Sequence, residues 1–521
     1  MIKKFPIHPI LFAIYPILFL YTNNISMLEM KHIYMPILWS VAGTLILWAL
    51  LNLFIKNKFK SAVIISIVVV LFFSYGHVYE IIQGFTEKTL NLSSDIYLSI
   101  NYLLILVISS ILILRSHKKF ESTSFYFSVT SFILIIFPIY TLISFSSVSN
   151  NNQSLVSSTD LYDSELDFLN PPENKPDIYY IILDGYARGD VLNSLYEFDN
   201  YEFYQELEKR EFLILDSSLS NYCQTSLSLA SSLNMNYIDS LIQGINPLSE
   251  DRSPIHNLIA DNKVAKLLQA NGYKYITFSS GLFGLEFTEI KKPDLHISSK
   301  KNINEIENLL DKTTLLKFIN KLLLKRSPLS IHRDNLLFTL SEIANVDIEY
   351  SPKFIIAHIL APHPPFVLGL NDDDENLNAR LDFGDGSMYH GMIEELQVDY
   401  KKKYLQQLKA LNVNIIEMTD KILTKNQTRE ILIVLQADHG PRSLLNWENS
   451  TKQSSDETFP IFNAIYLPER IKVKPDEDIT PVNTFRFLFN QLFNTNFKIL
   501  PNKSYFSKWS RPYDFIEVEV E

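Results

Sequence analysis

Apolar residues come first in long unbroken runs and later in short ones. Before residue 147 they form five stretches, Phe5 to Tyr21, Met35 to Ile55, Ala62 to Tyr79, Ile96 to Leu114 and Phe125 to Phe145. Crossing a bilayer core takes about 20 apolar residues, with a lower limit near 17, so the last four predict transmembrane helices and the first stands at the limit. Lys3 and Lys4 would also suit a signal peptide, but Tyr21-Thr-Asn-Asn-Ile-Ser26 has no small-x-small cleavage site. The first stretch is therefore read as a fifth helix. Loop charges set the orientation. With five spans, Lys3, Lys4, Lys56, Lys58, Lys60, Arg115, Lys118 and Lys119 share one side, against Lys31 and Lys88 on the other. The basic side is expected to be cytoplasmic, and an odd number of spans then places everything after Phe145 outside the membrane.

Residues 147–176, rich in Ser, Asn and Pro, predict a linker between a membrane region at 1–146 and an outer domain at 177–521. In the outer part, short β-branched runs (Asp177 to Leu183, Phe212 to Leu215, Tyr273 to Phe278, Phe354 to Leu360, Ile431 to Ala437, Phe459 to Leu467) alternate with helical patterns at 200–209, 225–234, 256–270, 399–423 and 480–493. That alternation predicts an α/β domain with a mostly parallel central sheet. The charged helical stretch from Lys300 to Leu324 has no assignable role.

Candidate chemistry gathers where these runs stop. Ile431 to Ala437 ends in Asp438-His439-Gly440-Pro441, and Asp177 to Leu183 ends in Asp184-Gly185. In open α/β sheets the carboxyl ends of the strands border the ligand crevice. A carboxylate oxygen and an imidazole nitrogen together suit a divalent cation. Alone, the Asp438-His439 pair also reads as a helix N-cap beside a solvated histidine. Thr225, or its neighbour Ser226, falls at a helix start: either an N-cap, or a nucleophile beside a helix end that carries roughly half a positive charge and binds phosphate. His358 and His363 follow the Phe354 run, and the prolines around His363 fix its backbone. Arg442 reads either as a phosphate contact or as an exposed surface arginine.

Composition narrows the field. A net charge of −11 gives no hint of nucleic-acid binding, and the 47% hydrophobic content is explained by the first third of the chain. With Cys223 as its one cysteine, the chain forms no internal disulfide.

Taken in order, Asp184 after a strand, Thr225 at a helix start, His363 in Pro-His-Pro-Pro-Phe and Asp438-His439 after a strand resemble the sulfatase-like branch of the alkaline phosphatase superfamily. The layout, five spans plus an outer domain, is similar to lipoteichoic acid synthases and phosphoethanolamine transferases. The likeness covers about Pro176 to Leu467. It implies an alkaline-phosphatase-like domain in which Asp184, Thr225, Asp438 and His439 surround one divalent metal ion (Mn²⁺, Mg²⁺ or Zn²⁺). Thr225 is then the nucleophile, with His363, or else His358, at the transferred group. The transferases often carry Glu where Asp184 stands. Sulfatases need Cys-x-Pro-x-Arg for formylglycine, whereas Cys223 is followed by Gln, Thr, Ser and Leu. No histidine follows His439, which favours one metal, although His358 leaves a second site open.

The function so implied is transfer of a phospho-alcohol group, of the phosphoglycerol or phosphoethanolamine type, from a membrane phospholipid to a surface glycan or lipid. A membrane-bound phosphodiesterase or phosphatase shares the first half-reaction. An inactive sulfatase-like scaffold is the non-enzymatic alternative.

Overall fold

The computed structural model describes the chain except residues 1–4, 26, 27, 29, 90–92, 157–173, 281–292, 300–304, 324–327, 370–384, 390–393 and 521. It divides into two compact units: residues 1–149 with 303–328, and residues 150–302 with 329–521.

The first unit contains α1 (His8–Asn23), α2 (Lys31–Ile55), α3 (Lys58–Thr89), α4 (Ser94–Arg115) and all but the last turns of α5 (Glu121–Val156). Helices α2 to α5 each contain an apolar stretch long enough to cross a membrane. α1 has 16 residues, about 24 Å of helix at 1.5 Å per residue, short of the roughly 30 Å hydrocarbon core. Ala13 of α1 packs with Trp48 of α2 and Ala62, Ile65 and Val69 of α3. Phe54, Leu112 and Phe137 point outward instead. Helices apolar on their outer as well as their inner face belong in lipid. α5 continues through Val156, into the stretch expected to be linker; 157–173 of that stretch lies outside the described residues.

The charged helical stretch after Lys300 belongs with the membrane helices. Its two helices, Glu305–Thr313 and Leu316–Leu323, form a hairpin whose turn presses on α3. Leu315 N–H donates to the Phe72 carbonyl at 2.9 Å. At Gly76 a Cβ would lie 2.0 Å from the Lys312 carbonyl, so only glycine admits this approach.

The second unit is built on seven strands: β1 (Asp177–Leu183), β2 (Leu213–Ile214), β3 (Lys274–Phe278), β4 (Leu295–Ile297), β5 (Lys353–Ile359), β6 (Ile431–Ala437) and β7 (Asn463–Tyr466). Their order is β2-β7-β6-β1-β5-β3-β4. The β6-β1, β1-β5, β5-β3 and β3-β4 pairs are parallel, whereas β7 runs antiparallel to β6 and β2. The sheet is thus mostly parallel, as the alternating pattern predicts. β1, β5 and β6 are buried at every position, because helices cover both faces. Tyr179, Ile181 and Leu183 of β1 point to one face, against Tyr404, Leu408, Leu411 and Ile415 of the Glu394–Lys425 helix. Ile178, Tyr180 and Ile182 point to the other, against Leu227, Ala230 and Leu233 of the Thr225–Asn234 helix and Phe485 of the Pro481–Phe493 helix.

One expectation is refined. The helix expected over 256–270 is two helices, Ser253–Ala260 and Lys263–Ala270. Asn262 breaks the run by accepting the Ala265 N–H at 2.8 Å as an N-cap. The short strand β4 and the separate hairpin of β8 (Ser504–Phe506) and β9 (Ile516–Val518) carry too few residues for a legible alternation.

Candidate active site

Parallel pairing brings the chemistry to one edge. Leu183 of β1 lies beside Ala437 of β6 and Ile359 of β5. The residues that follow, Asp184 and Asp438, therefore leave the sheet side by side. His358, one position back in β5, lies beside Ile182. Asp184, Asp438 and His439 are all buried, and one ligand atom from each falls within 4.8 Å of the others.

His439 is held in one tautomer. Its Nδ1 lies 2.7 Å from the Gly440 carbonyl, which accepts only a proton, so Nδ1–H donates there and Nε2 keeps its lone pair. Nε2 faces Asp438 Oδ2 at 3.2 Å, Asp184 Oδ1 at 3.5 Å and Thr225 Oγ1 at 2.9 Å. Burial, then the nearby Arg442 guanidinium, pushes the His439 pKa down to about 3, so the ring is neutral near pH 7. A neutral imidazole anchored through its other nitrogen is oriented as a metal ligand.

Thr225 opens the Thr225–Asn234 helix, but Gln224 is the N-cap residue. The Thr225 hydroxyl therefore does not cap the helix; it turns to His439. Ser226 faces away, towards Arg252. Two residues upstream, Cys223 is fully buried, and burial pushes its thiol up to about 11. That is a packed, protonated thiol.

The carboxylates carry the test of whether this cluster suits a cation. Asp438 Oδ1 accepts the N–H groups of Gly185 (3.1 Å) and His439 (3.0 Å). Asp438 Oδ2 and both Asp184 oxygens are buried and accept no well-aligned hydrogen bond among the described residues. Such oxygens are costly unless something positive meets them. His358 Nε2 approaches Asp184 Oδ2 at 3.0 Å. Burial acts to raise the Asp184 pKa, but His363, His358 and His439 outweigh it and hold Asp184 well below the usual carboxylate range. Burial, then the charge of Asp184, pushes Asp438 up to about 7. Two carboxylates, one lone-pair nitrogen and one hydroxyl oxygen make a donor set that fits Zn²⁺, Mn²⁺ or Mg²⁺.

A pH dependence follows from this arrangement. Below pH 7 a cation must displace the proton on Asp438, so affinity falls as pH falls. Mn²⁺ titration by calorimetry is expected to show roughly tenfold weaker binding at pH 6 than at pH 8. Equal affinity at the two values would show that Asp438 is already ionised.

His363 stands against the Asp184-Gly185 turn. Its N–H donates to the Asp184 carbonyl at 3.0 Å, its carbonyl accepts Gln407 Nε2 at 2.8 Å, and Nδ1 meets the Pro364 carbonyl. Arg442 takes neither form expected from the sequence unchanged. It is buried rather than exposed, its Nη2 pairs with Asp385 at 3.2 Å, and its Nη1 donates to the Cys223 carbonyl at 3.0 Å. Its Nε has no hydrogen-bond partner among the described residues. Asp385 and Arg252, both at the site, went unread in the sequence, because a single polar residue in a loop carries no periodic signal.

No protein-family model matches this chain, and no curated protein matches it in sequence. Solved structures similar to it include phosphoethanolamine transferases and sulfatases. The C-terminal periplasmic domain of EptC from Escherichia coli, in complex with Zn, has TM-score 0.42 and 12% identity, over 67% of this chain and 95% of that one. The integral membrane lipooligosaccharide phosphoethanolamine transferase A from Neisseria meningitidis has TM-score 0.38 and 12% identity, over 94% of this chain and 95% of that one. A protein of Bacteroides fragilis named as a sulfatase has TM-score 0.38 and 14% identity, over 65% of this chain and 82% of that one.

Proposed function

We propose that this chain is a membrane-anchored, metal-dependent transferase that moves a phospho-alcohol group from a phospholipid to a surface glycan or lipid through a phosphothreonine intermediate. The observation that carries the reading is the placement of Thr225 Oγ1, 2.9 Å from His439 Nε2 at the head of the buried Asp184, Asp438 and His439 cluster. A hydroxyl with no capping role, set against carboxylate oxygens that accept no well-aligned hydrogen bond among the described residues, supports the reading of Thr225 as a nucleophile.

Asp184, Asp438, His439 and Thr225 would hold one divalent cation. When bound, such an ion lowers the pKa of an attached hydroxyl and neutralises charge on phosphoryl oxygens. Thr225 Oγ1, as an alkoxide whose proton has passed to solvent, forms a bond to phosphorus while the bond from phosphorus to the lipid alcohol breaks. His363 gives a proton to the departing alkoxide. In the second half, neutral His363 takes the proton of the acceptor hydroxyl, whose oxygen attacks phosphothreonine and releases Thr225. His358, beside Asp184, is the less exposed alternative for that proton. Arg442 Nε is the candidate contact for a phosphoryl oxygen. With five spans and the basic loops cytoplasmic, this chemistry takes place outside the cytoplasm, where the membrane segment keeps a lipid donor at high effective concentration.

The test is intact mass spectrometry of the full chain in detergent after incubation with Mn²⁺ and mixed bacterial phospholipids. The expected result is a single adduct whose mass identifies the transferred group, discharged by adding a glycan acceptor. Lipid turnover with free phospho-alcohol as the product, with or without acceptor, would make the protein a hydrolase. An unmodified protein that consumes no lipid would overturn the reading.

A further inference from the structure

We propose that Arg252 is a positioning residue for Thr225: its guanidinium grips both residues that flank the nucleophile, and its charge serves the negatively charged phosphodiester. The inference rests on the reading of Thr225 given above and deepens it.

Arg252 precedes the Ser253–Ala260 helix and is 2% exposed. Its Nη2 donates to Gln224 Oε1 at 2.7 Å and to the Trp509 carbonyl at 2.6 Å, while Nη1 donates to Ser226 Oγ at 3.3 Å. Gln224 and Ser226 are the residues on either side of Thr225. The guanidinium lies 4.4 Å over the Trp509 ring, so it is stacked as well as hydrogen-bonded. Gln224 is fixed from its other end, where Nε2 donates to Ser507 Oγ at 2.8 Å. The nucleophile's backbone is therefore tied to the C-terminal part of the chain through one arginine.

Arg442 makes the comparison instructive. It holds the same turn one residue earlier, at the Cys223 carbonyl, and its guanidinium lies 5.5 Å from the Trp447 ring. Trp447 and Trp509 in turn pack at 5.3 Å. Residues 223 to 226 are thus held by two guanidinium groups, each backed by an indole. The two differ in charge balance. Arg442 is neutralised by Asp385, whereas among the described residues no carboxylate pairs with Arg252. Burial lowers the Arg252 pKa only to about 10, so the positive charge stays.

An amide or hydroxyl would tie down a turn at lower desolvation cost than a buried guanidinium. A charge kept beside a candidate phosphoryl-transfer centre, without a partner of its own, has a use there. It stabilises the negative charge of the phosphodiester and of the transition state without rearranging. Arg252 reaches that charge across the turn it holds, not by touching substrate.

The test compares wild type, Arg252→Gln, Arg252→Lys and Thr225→Ala as full chains in detergent with Mn²⁺, hydrolysing bis(4-nitrophenyl) phosphate. Arg252→Gln is expected to lower kcat about 100-fold, the scale of a nucleophile displaced by an ångström, with bound Mn²⁺ and melting temperature near wild type. Arg252→Lys keeps the charge but not the two-handed grip, and should recover about a tenth of the wild-type kcat. A folded Arg252→Gln protein with kcat within about threefold of wild type overturns the inference. So does activity in both Arg252 variants that falls only in proportion to the unfolded fraction, since that marks a purely structural arginine. Undiminished turnover by Thr225→Ala would instead remove the nucleophile reading, and Arg252's role with it.

Discussion

Thr225→Ala is expected to reduce phosphodiester turnover by at least about 10³-fold, the scale on which loss of a covalent nucleophile is felt, and to abolish the protein adduct. Structure should hardly change. Among the described residues the hydroxyl makes one hydrogen bond, to His439 Nε2, worth about 0.5–1.5 kcal/mol. Helix capping at this end does not depend on it, because Gln224 occupies the N-cap position. Removing the hydroxyl also leaves Asp184, Asp438 and His439 in place, so metal binding should weaken without disappearing. Turnover and metal content therefore separate: the first collapses while the second largely survives. A Thr225→Ala protein that turns over substrate at the wild-type rate would show that water or another side chain attacks phosphorus.

Asp438→Asn is expected to lose bound metal and, with it, activity by a similar factor of at least about 10³, as should chelation of the wild type. Here stability moves the other way. Without a cation, Asp438 and Asp184 are two buried carboxylates within reach of one another. The folded state holds the Asp438 proton more tightly than the unfolded chain does. The metal-free wild type therefore loses stability as pH climbs from the ordinary carboxylate value near 4 to about 7. Asparagine carries no charge to repel. Metal-free Asp438→Asn should thus melt at or above the wild-type temperature at pH 8, a gain of about 1–3 kcal/mol, with the difference vanishing toward pH 4. Thermal melts with and without Mn²⁺ at both pH values test this. A variant less stable than the wild type at pH 8 would mean that Asp438 serves as a structural hydrogen-bond acceptor, through its contacts with Gly185 and His439.

The two variants ask different questions of one site. On the proposed mechanism Thr225 supplies the bond to phosphorus and little of the fold, whereas Asp438 supplies a charge that the fold bears as a cost. Sites that store such a cost are where function and stability pull apart.

What the sequence by itself determined is local. Runs of about 20 apolar residues cannot be placed in water, so the membrane helices α2 to α5 were legible from composition alone. α1 was marginal in sequence and remains short in structure. β1, β5 and β6 were legible because a strand buried on both faces must be apolar throughout. Each strand end then marked its own polar residue, Asp184, His358 or Asp438. The order of these residues along the chain suggested a common site, but order does not bring atoms together.

Only the tertiary structure decided that β1 lies between β5 and β6 in register, so that Asp184 and Asp438 emerge as neighbours. Strand order depends on pairing between segments far apart in the chain, which no local pattern records. The same reason hid Arg252 and Asp385, whose roles come entirely from what they touch. It also hid the 305–323 hairpin: its sequence reads as an ordinary charged helix pair, and only the gap at Gly76 of α3 shows where it packs. Thr225 shows the division most sharply. Its place at a helix start was fixed by the hydrophobic spacing of Leu227, Ala230 and Leu233. That its hydroxyl faces His439 rather than capping the helix was settled by the packing of that helix against the sheet.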